Sequence, residues 1–223
     1  SGALYQTGSF DGINFVPDGP PIDPHWQLAD WGSDFYAAIG WHEPRDAAGR
    51  PVWIGWMGNH AYQHEFPKRG WRGVMSLPRR MGLAQTGDDL CLTQHIEPAV
   101  ARLFGAAAPL GLSSIPVASR IDIAPDFTGT LTVHDGKGSR FTLSAKDAQW
   151  QLERRDLVLP FLDANATLDR APDEGISLWI DSETIEALTA NGTGSASFQH
   201  RPASGTLQVE TDQSGMLSLA MLA

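Results

Sequence analysis

Tyr36 and Trp56 each stand where a ring can turn toward a ligand. They end or interrupt strand-like runs, Asp34-Phe35-Tyr36-Ala37 and Ile54-Gly55-Trp56-Met57, beside alanine or glycine. Small neighbours leave a large side chain free to face a pocket, although the same pattern also suits a ring packed into a core. Six of the chain's eight tryptophans fall in its first third. Indole and phenol faces are flat, apolar and polar-edged, and they match the C–H face of a sugar ring at low entropic cost. Carbohydrate binding is the chemistry this crowding suits.

The charged residues nearby are less specific. Asp34, after Gly32-Ser33, can orient hydroxyls or cap a turn. Arg79, after Pro78, can fork onto a carboxylate and hold it, or lie solvated on the surface. Cleaving a glycosidic bond takes two carboxylates flanking it. Asp11, Asp34, Glu43 and Asp46 lie in the aromatic block, but none has a context that marks a nucleophile or a proton donor. Asp11-Gly12 reads as a hairpin turn, and Glu43-Pro44-Arg45-Asp46 as a polar loop. Of His25, His42, His60 and His64, the last two are four residues apart. Gly58-Asn59 before them and Pro67 after them argue against a helix, and no third ligand is suitably spaced, so no metal site is expected. No cofactor is implied either. Ser1-Gly2-Ala3 reads as a cut end rather than as an N-terminal nucleophile. Asn165-Ala166-Thr167 and Asn191-Gly192-Thr193 match the glycosylation acceptor pattern, which is common by chance.

These residues belong to a chain of 223, enough for one large all-β domain or two small ones. Sixteen basic against 26 acidic residues give a formal charge of -10. Such a surface repels phosphate backbones, so nucleic acid is not an expected partner. No apolar run reaches the length that spans a bilayer, so no membrane is expected. One cysteine, Cys91, excludes an internal disulfide and a cysteine-rich metal site, and leaves the compartment open.

The elements that must position the aromatic residues are short. The 23 glycines and 15 prolines are scattered, which predicts many tight turns. Strand-like runs recur at 52–54, 131–133, 140–143, 176–180 and 205–209. In the fourth, Ile176, Leu178 and Ile180 alternate with Ser177 and Trp179, the period of a half-buried strand. Asp135-Gly136 and Asn191-Gly192 supply hairpin turns between such runs. The spacing of Ile96, Val100 and Leu103 predicts a helix over His95–Phe104, with Pro98 in its first turn. Beyond it tryptophan becomes rare and Ala, Ser, Thr and Leu dominate. A boundary is therefore expected within 105–112, between an aromatic-rich piece, residues 1–104, and a sandwich of short antiparallel strands, residues 105–223.

Four ordered blocks resemble glycoside hydrolase family 32, the family of invertases, levanases and exo-inulinases. Gly8-Ser9-Phe10-Asp11-Gly12-Ile13-Asn14-Phe15 is similar to its G-x-F-D-G-x-x-F stretch. Asp30-Trp31-Gly32-Ser33-Asp34-Phe35-Tyr36-Ala37 is similar to D-Y-G-x-D-F-Y-A. Gly49-Arg50 through Ile54-Gly55-Trp56-Met57-Gly58-Asn59 is similar to G-R-x-x-x-I-G-W-M-x-N. Trp71-Arg72-Gly73-Val74-Met75-Ser76-Leu77-Pro78-Arg79 is similar to W-R-G-x-M-S-L-P-R. A fainter likeness, at Leu178 to Glu186, falls in the family's C-terminal sandwich.

The resemblance implies an all-β fold, the end of a five-bladed β-propeller followed by a β-sandwich. It also implies that Tyr36 and Trp56 contact a fructosyl unit, with Asp34 and Asn59 near the pocket rim. The family's three acidic motifs, W-M-N-D-P-N-G, R-D-P and E-C, all lie upstream of D-F-Y-A and are absent here. Arg45-Asp46 is followed by Ala47, and Cys91 is preceded by Leu90. No catalytic residue is therefore expected in this chain. The expected partners are the N-terminal half of the same enzyme, as a second chain or a missing segment, and a fructoside substrate. A non-catalytic fructan- or carbohydrate-binding module is the alternative.

Overall fold

The structure, a computed structural model, describes residues 2–19, 27–41, 49–66, 70–71, 73–87, 89–111 and 113–223. Ser1, His25, His42, Glu43, Pro44, Arg45, Asp46, Pro67 and Arg72 lie outside them. Turn chemistry organises the first segment. Asp11 Oδ1 accepts from the Ile13 and Asn14 amides at 2.8 and 2.7 Å, closing the hairpin of β2 (Gly8–Phe10) and β3 (Phe15–Pro17). Strand β1 (Leu4–Tyr5) pairs separately with β4 (Gln27–Leu28).

A larger antiparallel meander follows. Strand β5 (Tyr36–Trp41) pairs with β6 (Val52–Met57). Next to β6 lie β7 (Val74–Met75) and β8 (Arg79–Thr86), and β8 pairs with β9 (Asp89–Ile96). Strands β7 and β8 flank Ser76-Leu77-Pro78 along one edge of β6. Ser76 bridges the gap: its amide donates to the Gly55 carbonyl at 2.8 Å, and its Oγ accepts from the Gly55 amide at 2.9 Å. The meander thus has four rows, the form of one propeller blade.

The helix expected over His95–Phe104 shrinks to α1, Pro98–Ala101. His95 and Ile96 instead end β9, paired with Arg80 and Arg79. The cross-strand pairing overrides the helical spacing, and Pro98 starts the helical turn, as its missing N–H permits. Ile96 and Val100 still pack together, with Trp179 and Leu188, whereas Leu103 is exposed.

Twelve strands follow: β10 (Ala108–Pro109), β11 (Ser114–Pro116), β12 (Ser119–Ile123), β13 (Thr130–His134), β14 (Ser139–Lys146), β15 (Gln149–Asp156), β16 (Ala164–Asp169), β17 (Ile176–Ile180), β18 (Thr184–Thr189), β19 (Ser195–Gln199), β20 (Thr206–Thr211) and β21 (Leu217–Met221). They form two six-stranded sheets, ordered β10-β21-β12-β17-β18-β19 and β11-β20-β13-β14-β15-β16. One apolar core fills the space between them, with Trp150, Phe127, Phe141 and Phe198 fully buried. The two expected hairpin turns are present, with Gly136 at φ 71° and Gly192 at φ 79°, angles that glycine adopts without strain. In β17 the inward alternation holds, but outward-facing Trp179 is also buried, because Phe104 covers it edge-on at 5.1 Å. Among the described residues no helix is long and apolar enough to cross a membrane, and no three His, Cys, Asp or Glu side chains group as metal ligands would.

One buried titratable group sets a pH dependence. His200 is 3% exposed, and its Nε2 meets the Asp181 carbonyl at 2.6 Å, a contact that requires a proton on Nε2. Burial pushes its pKa down to about 4. The unfolded ring, near 6.5, takes up its proton first, so stability falls as pH falls through the window from about 6.5 to about 4. The expected loss is roughly 3 kcal/mol. Urea melts at pH 7 and pH 4.5 should show it, and His200→Gln should remove most of the difference.

Candidate functional site

The strand register builds the candidate site. Tyr36 lies opposite Trp56 across β5–β6, and Trp56 lies opposite Met75 across β6–β7. Directly paired residues of neighbouring antiparallel strands share a face, so these three side chains stand in one row. Ala37, at φ 46°, breaks the β5 ladder between Tyr36 and Ile39, a bulge that re-aims the end of the strand. The Tyr36 and Trp56 rings meet edge to face, centroids 6.4 Å apart. His60 joins them, its ring 5.2 Å from each. Tyr36 and Trp56 are half-buried, and His60 and Met75 are exposed.

On the opposite face Phe35 is buried, edge-on to Trp53. Gly55 is required there, because a Cβ would overlap the Phe35 ring. The loop after β6 is braced by Asn59. Its Nδ2 donates to the Ser33 carbonyl at 3.0 Å, and its Oδ1 accepts from the Ala61 amide at 3.0 Å.

Asp34 is placed differently from a rim residue. It is fully buried, and Arg154 Nη1 donates to its Oδ2 at 2.6 Å. The same oxygen accepts from Ser33 Oγ and from the Gln199 amide, while Tyr62 donates its hydroxyl to Oδ1. Its oxygens are engaged inside the protein. Burial, with Asp34 beside it, pushes the Tyr62 pKa up to about 12, so the phenol stays a donor.

Arg79 forks onto carboxylates, one of the two readings of its sequence context. It is 0% exposed, with Nη1 2.8 Å from Asp30 Oδ2 and Nη2 2.6 Å from Glu186 Oε2. Burial alone would lower its pKa. Glu186 and then Asp30 outweigh that and hold the guanidinium charged, its pKa raised. Gln94, Ser195 and Ser197 complete the cluster.

Both ionic clusters join the aromatic-rich segment to strands of the second sheet system, and they also close an edge. Strand β19 ends its sheet. The Trp31 and Asp34 amides donate to the Ser195 and Ser197 carbonyls, while Asp30 and Asp34 carboxylates accept from the Ser197 and Gln199 amides. Residues 30–34 thereby satisfy donors and acceptors that an open edge would expose. Gly32 permits the approach, since a Cβ there would overlap the Ser197 backbone.

The glycosyl hydrolases family 32 N-terminal domain is matched by residues 1–94. A levanase from Bacillus subtilis (strain 168) is 40% identical over 83 residues, 37% of this chain and 12% of that protein. An extracellular exo-inulinase from Aspergillus awamori is 39% identical over 102 residues, 44% of this chain and 19% of that protein. Over its first 94 residues the chain is similar to glycoside hydrolase family 32. In fold, this chain is similar to a solved exo-inulinase from Aspergillus awamori, with a TM-score of 0.75 at 20% identity over 100% of this chain and 50% of that one. It is also similar to a GH32 beta-fructofuranosidase from Bombyx mori, with a TM-score of 0.70 at 18% identity over 99% of this chain and 47% of that one. The chain spans about half the length of these solved relatives. Its fold is all-β, the end of a β-propeller followed by a β-sandwich.

Sequence reasoning considered His60 only as a metal ligand and missed its place between the two rings. Its exposure and aromatic company follow from the turn at Gly58-Asn59, which no periodicity reports.

Proposed function

We propose that the chain is the C-terminal portion of a β-fructofuranosidase-type retaining glycoside hydrolase acting on sucrose or fructans. In this reading residues 1–104 complete the catalytic propeller and residues 105–223 are the sandwich. The row of Tyr36, Trp56 and His60 carries the proposal: three ring edges and faces converge at one end of a blade, where a furanose can lie against them. Tyr36 and Trp56 form the pocket wall, Asn59 braces the loop beside it, and Asp34 anchors the segment from below. The carboxylates that attack the anomeric carbon and protonate the leaving oxygen come from a preceding part of the enzyme. This chain orients the sugar against them.

Two features support a preceding part. Among the described residues, sheets β1–β4 and β2–β3 have two strands each, too few to stand as blades. Hairpin β2–β3 also exposes Phe10, Ile13, Phe15 and Val16, an apolar surface suited to burial against further propeller.

The test is fructose release from sucrose, inulin and levan. The chain alone should release none, and turnover should appear when it is combined with a segment bearing the three acidic motifs. Turnover by the chain alone, lost on replacing an acid within residues 1–223, would place catalysis here instead. Fructan binding with no turnover in the combined protein would make it the non-catalytic carbohydrate-binding module.

A further inference from the structure

The strand segments that carry the site's side chains are each held, one or two residues away, by a side chain of the sandwich. Arg154 of β15 holds Asp34, two residues before Tyr36. Gln199 of β19 donates its Nε2 to the Met57 carbonyl, one residue after Trp56. Glu186 of β18 accepts from the Leu77 amide at 2.7 Å, two residues after Met75. All three side chains are buried, at 1%, 2% and 1% exposure. Two of them are linked as well: Arg154 Nη1 donates to the Gln199 carbonyl at 2.8 Å. Arg79, bonded to Glu186, also lies 4.5 Å from the centre of the Phe35 ring, beneath Tyr36.

We infer that Arg154, Gln199 and Glu186 are positioning residues for the sugar-binding wall, so that the sandwich sets the spacing of Tyr36, Trp56 and Met75. The inference rests on the proposed function for its consequence in catalysis, but not for its geometry. Charge-assisted or buried hydrogen bonds to the backbone fix strand ends more tightly than apolar packing does, because each bond has one favourable direction. A ring carried one residue away inherits that fix.

Gln199 is the residue to vary, since it is neutral and its amide has one partner on the blade. The chain is labelled with 5-fluorotryptophan and followed by fluorine NMR, with the Trp56 signal assigned by its loss in Trp56→Phe. Gln199→Met, matched in length, should shift or split the Trp56 signal and leave that of Trp150 in the sandwich core unmoved. Gln199→Ala provides the same reading if the methionine variant does not fold. Leu143→Ala, a cavity in the sandwich core, should lower the melting temperature without moving Trp56. In the combined, active protein, Gln199→Met should lower kcat/KM for a fructoside by about tenfold, less than the roughly hundredfold that a full 1 Å misplacement can cost. A Trp56 signal unmoved in the Gln199 variants, or moved equally by Leu143→Ala, overturns the inference. Absence of fructoside turnover in the parent overturns the proposed function alone, and the NMR comparison still decides the positioning.

Discussion

Arg79→Met is expected to be the most destabilising single substitution in this chain. It leaves Asp30 and Glu186 buried with no cation between them. Breaking a buried ion pair by removing one partner costs about 3–5 kcal/mol, because the remaining charge has lost its compensation. Here two carboxylates are left, so the upper end applies. At about 2–4 °C per kcal/mol for a chain of this size, the melting temperature should fall by about 10 °C or more. The two groups pull against each other: burial pushes the Glu186 carboxyl above its ordinary value, with Arg79 opposing it, while Arg79 itself is held charged. The geometry decides for a charged fork, since Nη2 and Nε lie 2.6 and 3.2 Å from one carboxylate oxygen.

The sign of the pH effect follows. Without Arg79 only the Leu77 amide opposes the burial of Glu186, and its folded pKa rises further above the unfolded value. The folded state then binds the extra proton, so the variant's deficit relative to the parent grows as pH rises and shrinks as pH falls toward 5. Adding Asp30→Asn and Glu186→Gln should recover much of the deficit, since replacing a whole buried ion set by neutral groups is often close to neutral. Thermal and urea melts at pH 5 and 7.5 check each point. A loss under about 1 kcal/mol would mark Arg79 as a solvated surface residue.

The clamp around Arg79 also shows why sequence reading stops where it does. Hairpin turns at Asp135-Gly136 and Asn191-Gly192 were legible because turn geometry is local. The alternation of β17 was legible because one face of a strand meets one core. Strands β18 and β19 were not, because every residue in them is buried, including Thr184, Glu186, Ser195, Ser197 and Gln199. Such a polar alternate face reads as solvated until the segment from Asp30 to Asp34 is known to lie on it. Those partners are more than 150 residues apart in sequence for Asp30 with Glu186, and no periodicity reports the pairing. The same distance hid the role of Asp34. Its resemblance to a pocket motif placed it near the site, and the structure adds that its carboxylate faces Arg154. The short α1 failed for a different reason, a register in β9 that extends two residues into the helical pattern.

Trp56→Ala is expected to cost the combined enzyme most of its fructoside turnover while sparing the fold. The indole is half-buried and rests on bare backbone, since a Cβ at Gly58 would overlap its ring and one at Gly73 would lie 3.2 Å from its Nε1. Its other neighbours, Tyr36 and His60, are themselves partly open to solvent, so its removal opens a groove rather than a sealed cavity. The stacking lost with the ring is roughly 1–3 kcal/mol, by analogy with bases on aromatic side chains, or about 5- to 150-fold in kcat/KM. The sugar also loses its orientation against the nucleophile, which adds to the fall in kcat. Tyr36→Phe is the milder comparison: it keeps the ring and removes one hydroxyl, a loss of about 0.5–1.5 kcal/mol. Steady-state kinetics on sucrose and inulin, beside thermal melts of each variant, separate the two roles of Trp56. Unchanged kinetics with a lowered melting temperature would make it a packing residue of the blade, and the pocket wall would then have to be sought elsewhere.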